Sequence, residues 1–261
     1  MRAFLIFLNL SLCLCSGSVF SANDASMAEQ PASVTADALV RKAMDNWRGL
    51  SSYSQMTMTV HRPDWERSTT MSAWSQGDDQ SLVRVTAPKR DVGNGTLLNG
   101  KNMWTYSPKV NRIIKIPSSM MNQSWMGSDF SNRDVSKATD ILDHYDHVLS
   151  QTETKDAHTY YTITSTPHED APVVWGKEVI TVRDDFVMTR HEFWDQDNQL
   201  VKVMQAQQVT MMDDKPVANK IRMGRVDQPD EWTLIETHTI DFDIDIPGNL
   251  FTLSNLRNPR D

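Results

Sequence analysis

A two-residue hydrophobic period runs through the chain from Ser51 to Ile246, cut into short segments by turn signals. In the first segment Met56, Met58 and Val60 share one face, and Gln55, Thr57, Thr59 and His61 take the other. Successive side chains of a strand point to opposite sides, so this period selects strands with one dry and one wet face. Residues 65–75 and 80–86 read as the next two strands, joined by the turn Gly77-Asp78-Asp79. Further turns stand at Gly93-Asn94-Gly95 and Gly100-Lys101-Asn102, and residues 103–106 and 112–116 flank Ser107-Pro108-Lys109 as a hairpin. After an irregular stretch the period resumes over 145–152, 159–167, 174–183, 187–195, 200–212, 218–225 and 232–246. The run Ile240 to Ile246 alternates without a fault, and Pro247-Gly248 stops it.

One helical pattern precedes the strands. Thr35 is placed to cap a helix over 36–49, in which Leu39, Val40, Ala43, Met44 and Trp47 form one apolar face and Gly49 the stop. Ser131 or Asn132 is placed to start a short second helix through Val135. The expectation is therefore one domain over 35–261, α+β but mainly antiparallel β, with about ten or eleven strands. A sheet of that many strands curls into a barrel or part-barrel. Such a barrel is too wide for its own side chains to fill, so it takes either a helix or a ligand. With few helices available, a cavity is expected.

The N-terminus carries an export pattern. Arg2 supplies positive charge, residues 3–14 are apolar apart from Asn9 and Ser11, and small residues follow to Ala22. That apolar run is too short to span a bilayer comfortably. Cleavage is expected after Ser21, with Val19 and Ser21 in the small-residue positions, leaving 1–21 as signal peptide and 22–34 as a flexible lead-in. A lipid anchor through Cys13 or Cys15 is the rival, but Leu12 and Leu14 stand where a small residue is needed. Both cysteines lie in the segment removed, so the mature chain has no disulfide, thiolate metal site or cysteine nucleophile. It then holds 25 Lys and Arg against 34 Asp and Glu, a net charge of −9, which disfavours nucleic acid or an anionic membrane as main partner. The expected location is the periplasm, as a soluble protein.

The residues show no enzyme motif. There is no Gly-x-Ser-x-Gly elbow, phosphate-cradling glycine loop or dinucleotide fingerprint. Asp143-His144-Tyr145-Asp146-His147 is the one His and carboxylate cluster, with ligand types suited to zinc. In a strand, however, His144 and His147 point to opposite faces. The pairs Asp78/Asp79, Asp184/Asp185 and Asp213/Asp214 sit at turns, where Asp bonds local amides. No cofactor, metal or catalytic residue is expected.

The apolar inventory says more. Fourteen methionines and eight tryptophans remain in the mature chain, and Met suits a surface that adapts to varied ligands. Met120, Met121, Trp125 and Met126 cluster in the irregular stretch 117–131, where core residues are not expected, so that stretch reads as a rim or lid for an apolar ligand.

The same stretch contains Met126-Gly127-Ser128-Asp129-Phe130-Ser131, preceded by Trp104-Thr105-Tyr106-Ser107-Pro108 and Arg112-Ile113. In that order, with Ser81-Leu82-Val83-Arg84-Val85 and Gly95-Thr96-Leu97-Leu98 upstream, they resemble the outer-membrane lipoprotein-sorting (LolA-like) proteins. Gly176-Lys177-Glu178 and Leu200-Val201-Lys202-Val203 extend the resemblance, which spans about 35–256. Asn132-Arg133-Asp134-Val135 departs from the usual acidic, aromatic-led helix start. The resemblance implies an unclosed half-barrel whose concave face is covered by helices and encloses an apolar cavity for acyl chains. It implies a carrier that moves lipoproteins or other lipids toward the outer membrane, acting as a monomer between an inner-membrane transporter and an outer-membrane acceptor. The alternative is a lipid-sensing accessory protein that binds an inner-membrane transporter or regulator. The candidate lipid-binding residues are Met56, Met58, Val60, Trp104, Met120, Met121, Trp125, Met126 and Phe130.

Overall fold

The computed structural model describes residues 35–136 and 139–259. The expected signal peptide (1–21) and lead-in (22–34) lie outside the described residues. Helix α1 (Ala36–Arg48) begins at Thr35, whose hydroxyl accepts from the Ala38 amide at 3.2 Å. It ends at Gly49, in the left-handed region at φ 64°. A Cβ there would stand 2.8 Å from Phe242 Cδ1, so both backbone and space demand glycine.

Thirteen strands follow. Six come first: β1 (Ser51–Arg62), β2 (Trp65–Gln76), β3 (Gln80–Ala87), β4 (Gly95–Asn99), β5 (Asn102–Ser107) and β6 (Arg112–Lys115). A crossing segment, 116–144, contains short turns of 3-10 helix at Ser118–Met120 and Trp125–Gly127, then α2 (Asn132–Ser136) and α3 (Asp140–His144). Seven more strands complete the sheet: β7 (Tyr145–Lys155), β8 (His158–Pro167), β9 (Lys177–Arg183), β10 (Met188–Trp194), β11 (Leu200–Met212), β12 (Lys215–Arg225) and β13 (Trp232–Phe242). Helix α4 (Leu253–Arg257) closes the chain.

All thirteen strands belong to one antiparallel sheet, ordered β6-β5-β4-β3-β2-β1-β13-β12-β11-β10-β9-β8-β7. Each half is a meander of sequence neighbours, and the pairing of β1 with β13 fuses them. Strands β6 and β7 form the two outer edges, so the barrel is unclosed, and the crossing segment links one edge to the other. This is the half-barrel that the resemblance implies.

Thirteen strands exceed the expected ten or eleven. β4 is five residues held between two glycine turns, too short for its period to stand out, and Gly95 belongs to it rather than to the preceding turn. The unbroken alternation of 240–246 also needs correction. β13 ends at Phe242, beside Ser52 at the start of β1, and beyond that point there is no partner strand. Asp243 turns away at φ 53°, its amide donating to Ser51 O at 2.8 Å and its Oδ1 accepting from Leu50 N at 3.2 Å. Burial still alternates through Ile244 and Ile246, so the period reports a half-buried extended chain rather than a paired strand.

The main core lies on the concave face. There Leu39, Val40, Ala43 and Met44 of α1 are buried in one cluster with Met58, Val60 and Met71 of one half and Ile163, Ile180 and Val182 of the other. Trp47, expected on that face, is 40% exposed beside the helix C-cap. A smaller core occupies the opposite face, where Leu82 and Leu97 meet Leu250, Phe251 and Leu256 of the C-terminal segment.

Candidate ligand cavity

Strand register grades the concave face from polar to apolar. Ser52 of β1 pairs with Ser75 of β2, and Ser75 with Ser81 of β3, giving a serine row where β1 begins. Two residues further along lie Ser54, Ala73 and Val83, and two further still Met56, Met71 and Val85. Across β1 the apolar surface continues through Ile235 of β13, Ile221 and Met223 of β12 and Met204 of β11.

Between this surface and its covering elements lies a cavity of about 310 Å³. That is at the lower end of the roughly 300–1,000 Å³ usual for small-molecule sites. Ala43, Met44, Trp47 and Arg48 of α1 line one side of the cover, and Trp125, Phe130, Val135 and Ile141 of the crossing segment line the other.

The crossing segment is held in place by the Met-Gly-Ser-Asp-Phe motif, position by position. Met126 and Gly127 both adopt left-handed backbone, at φ 52° and 72°, which turns the chain sharply. The Met126 carbonyl accepts from Arg67 Nη2. Ser128 Oγ donates to Trp125 O at 2.7 Å and accepts from Phe130 N at 3.2 Å. Asp129 takes Arg62 in a two-pronged pair, 3.1 Å on each oxygen, and also accepts from the Thr233 hydroxyl at 2.6 Å. Phe130 is buried in the core, and Trp125 is buried with its Nε1 donating to Thr96 Oγ1 at 3.1 Å. Ser131 then caps α2: its hydroxyl accepts from Asp134 N while Asp134 Oδ2 accepts from Ser131 N, a reciprocal capping box.

Farther from the serine row Glu178, Tyr145 and His191 put buried polar groups in the cavity wall, and Lys202 and His147 stand outside its lining. Glu178 of β9 accepts from the Tyr145 hydroxyl and from His191 Nε2, each at 2.5 Å. Burial first, and the charge of Glu178 second, push the Tyr145 phenol well above its ordinary value, so it remains a donor. Lys202 of β11 is paired with Asp134 at 2.6 Å and lies over the Phe193 ring. His147 accepts or donates at Nδ1 to Ser165 at 2.8 Å, and burial pulls its pKa below the usual histidine value. Among the described residues no three His, Cys, Asp or Glu side chains converge on a possible metal position.

Of the residues named from the sequence, Met56, Trp125 and Phe130 line the cavity together. Met58 and Val60 share the face of Met56 and are wholly buried in the main core. Met121 and Met126 are half-buried against the same core, and Met120 is half-buried in the segment outside the lining. Trp104 faces the other way: β5 gives its concave parity to Met103, and Trp104 packs with the smaller core of the opposite face. Reasoning from the sequence missed Glu178, His191 and Lys202. Their signal was parity, because each occupies a polar position in phase with apolar neighbours: Ile180 and Val182, Phe193, and Met204.

A family model described as that of an uncharacterized protein matches residues 77–258, more than half of the chain. The chain belongs to that family. No curated protein matches it. A DUF1329 family protein from Desulfovibrio piger superposes with a TM-score of 0.76 at 23% identity, covering 85% of this chain and 97% of its own. A domain named for outer-membrane lipoprotein sorting, from Vibrio parahaemolyticus, gives 0.74 at 18% identity over 85% and 98%. A LolA superfamily protein from Nitrosomonas europaea gives 0.70 at 21% identity over 85% and 99%. The family member described here therefore has the LolA-like open-barrel fold.

Proposed function

We propose that this protein is a periplasmic carrier that takes acyl chains of lipoproteins or other lipids into its cavity and moves them toward the outer membrane. The observation that carries the proposal is the cavity itself, about 310 Å³ between an apolar concave face and a cover made of α1 and the crossing segment. An acyl chain gains about 0.8 kcal/mol per CH₂ removed from water, so a route across an aqueous compartment needs such a shelter. The fold shared with the Vibrio and Nitrosomonas proteins supports the same reading. In it, Met56, Trp125 and Phe130 contact the chain directly, Met58 and Val60 back the wall, and Met121 and Met126 anchor the cover. Delivery would involve an inner-membrane donor and an outer-membrane acceptor.

The test is to purify the protein from its native compartment and analyse what comes with it by lipid mass spectrometry, alongside titration with a fluorescent fatty acid. Stoichiometric lipid and saturable uptake are the expected results. Absence of both would reject the carrier.

A further inference from the structure

The C-terminal end of α1 brings one cation to the polar end of the cavity. Arg48 lines the cavity, and its Nε and Nη2 are buried without a hydrogen-bond partner. Buried cations elsewhere in the fold are matched: Lys202 by Asp134, and Arg62 by Asp129 and Glu231. Arg67, whose Nε is also unpartnered, still donates through Nη2 to Met126 O. Burial lowers the pKa of Arg48, and the carboxylates nearest it electrically are Asp78 and Asp79 on the β2–β3 turn. Asp78 is exposed and already joined to Arg41 at 3.3 Å. A guanidinium stays charged in proteins, so its desolvation calls for an anion.

The serine row lies at this same end. Ser52 and Ser75 share one hydrogen bond of 2.7 Å between two hydroxyls, which leaves a proton to donate elsewhere. Ser52, Ser54, Ser75 and Ser81 line the cavity beside Arg48, and the wall then grades to Val83 and Met56 along the strands. The far wall also holds Glu178, Tyr145 and His191, but these are paired with one another. Unmatched polar groups at the serine end and hydrocarbon along Val83, Met56 and Phe130 therefore describe an amphiphile.

We propose that the cavity binds an amphiphile whose anionic group, a carboxylate or a phosphate, pairs with Arg48 while its hydrocarbon tail lies toward Met56 and Phe130. The proposal rests on the carrier reading and narrows its cargo. The lipid end of a lipoprotein joins its chains through esters, a thioether and an amide, and would leave the guanidinium unmatched. A free anionic lipid supplies the planar pair of oxygens that arginine engages best.

The experiment compares dodecanoate, dodecyl phosphate and dodecanol, which share one tail, as displacers of a neutral environment-sensitive dye from the purified protein. At least one anion is expected to displace at concentrations about tenfold lower than the alcohol, and the stronger of the two identifies a fatty-acid or a phosphate head. In Arg48→Met that advantage disappears, dodecanol stays within about threefold of its wild-type value, and the ligand-free protein melts at a higher temperature because a desolvated charge is gone. Arg48→Lys retains part of the preference. Equal displacement by all three ligands in the wild type, or a preference that survives in Arg48→Met, overturns the anion site while leaving the carrier intact. No displacement by any of them overturns both.

Discussion

Glu178 is a carboxylate in a place where its strand neighbours Ile180 and Val182 are wholly buried hydrocarbon. It is retained there because Tyr145 and His191 satisfy one oxygen each. Glu178→Ala leaves both donors buried without an acceptor, and should lower unfolding stability by about 3 kcal/mol in urea titrations. Glu178→Gln keeps one acceptor and should lose less. His147 makes a separate prediction through pH. Burial depresses its folded pKa against the opposing pull of Asp37, Asp146 and Glu178, while the unfolded side chain titrates near 6.5. The unfolded state therefore binds more protons in the window just below 6.5. Its contribution is complete above that pH and is lost as pH falls toward the folded value. Stability measured from pH 7.5 to 5 should decline more steeply in the wild type than in His147→Phe. At this scale the sequence shows which residue is polar and which parity it has, but Glu178 and Tyr145 are separated by a whole strand and meet only through the β8–β9 and β7–β8 pairings.

The crossing segment holds its shape with little regular structure of its own. Asp129 joins it to the ends of β1 and β13 through Arg62 and Thr233. Asp129→Ala should cost about 2–3 kcal/mol and bring early proteolytic cleavage within residues 118–136, with cleavage elsewhere unchanged. If the cutting pattern stays that of the wild type, the segment is held by its apolar contacts instead. Among the elements, α1 was legible almost to the residue, since its cap, its stop and its apolar stripe are all local signals. The Met-Gly-Ser-Asp-Phe loop was legible as a motif, but the work of its parts was not. Arg67, Arg62 and Thr233, which hold it, come from β2, β1 and β13 respectively.

The described domain is an open sheet around a cavity, and the cavity's size sets what it can contain. Ala73 sits half-exposed on the concave side between the serine row and the methionine row. Ala73→Phe places a ring in the cavity where there is room for one, so stability should stay within about 1 kcal/mol while acyl uptake falls at least tenfold in the dye-displacement assay. Unchanged uptake would place the tail elsewhere.

The chain by itself determined the strand-rich class, the alternation of the longer strands, the capped first helix and the need for something to occupy a sheet this wide. All of these follow from contacts within a few residues, for which period and turn chemistry suffice. Tertiary structure decided that β1 pairs with β13, that the sheet stays open between β6 and β7, and that the serine row and Arg48 share one end of the cavity. A two-residue period assigns a side chain to a face, yet it is blind to which face becomes concave and to which distant strand lies alongside. Those choices come from burying α1 and the crossing segment between two halves of the chain that no local pattern connects.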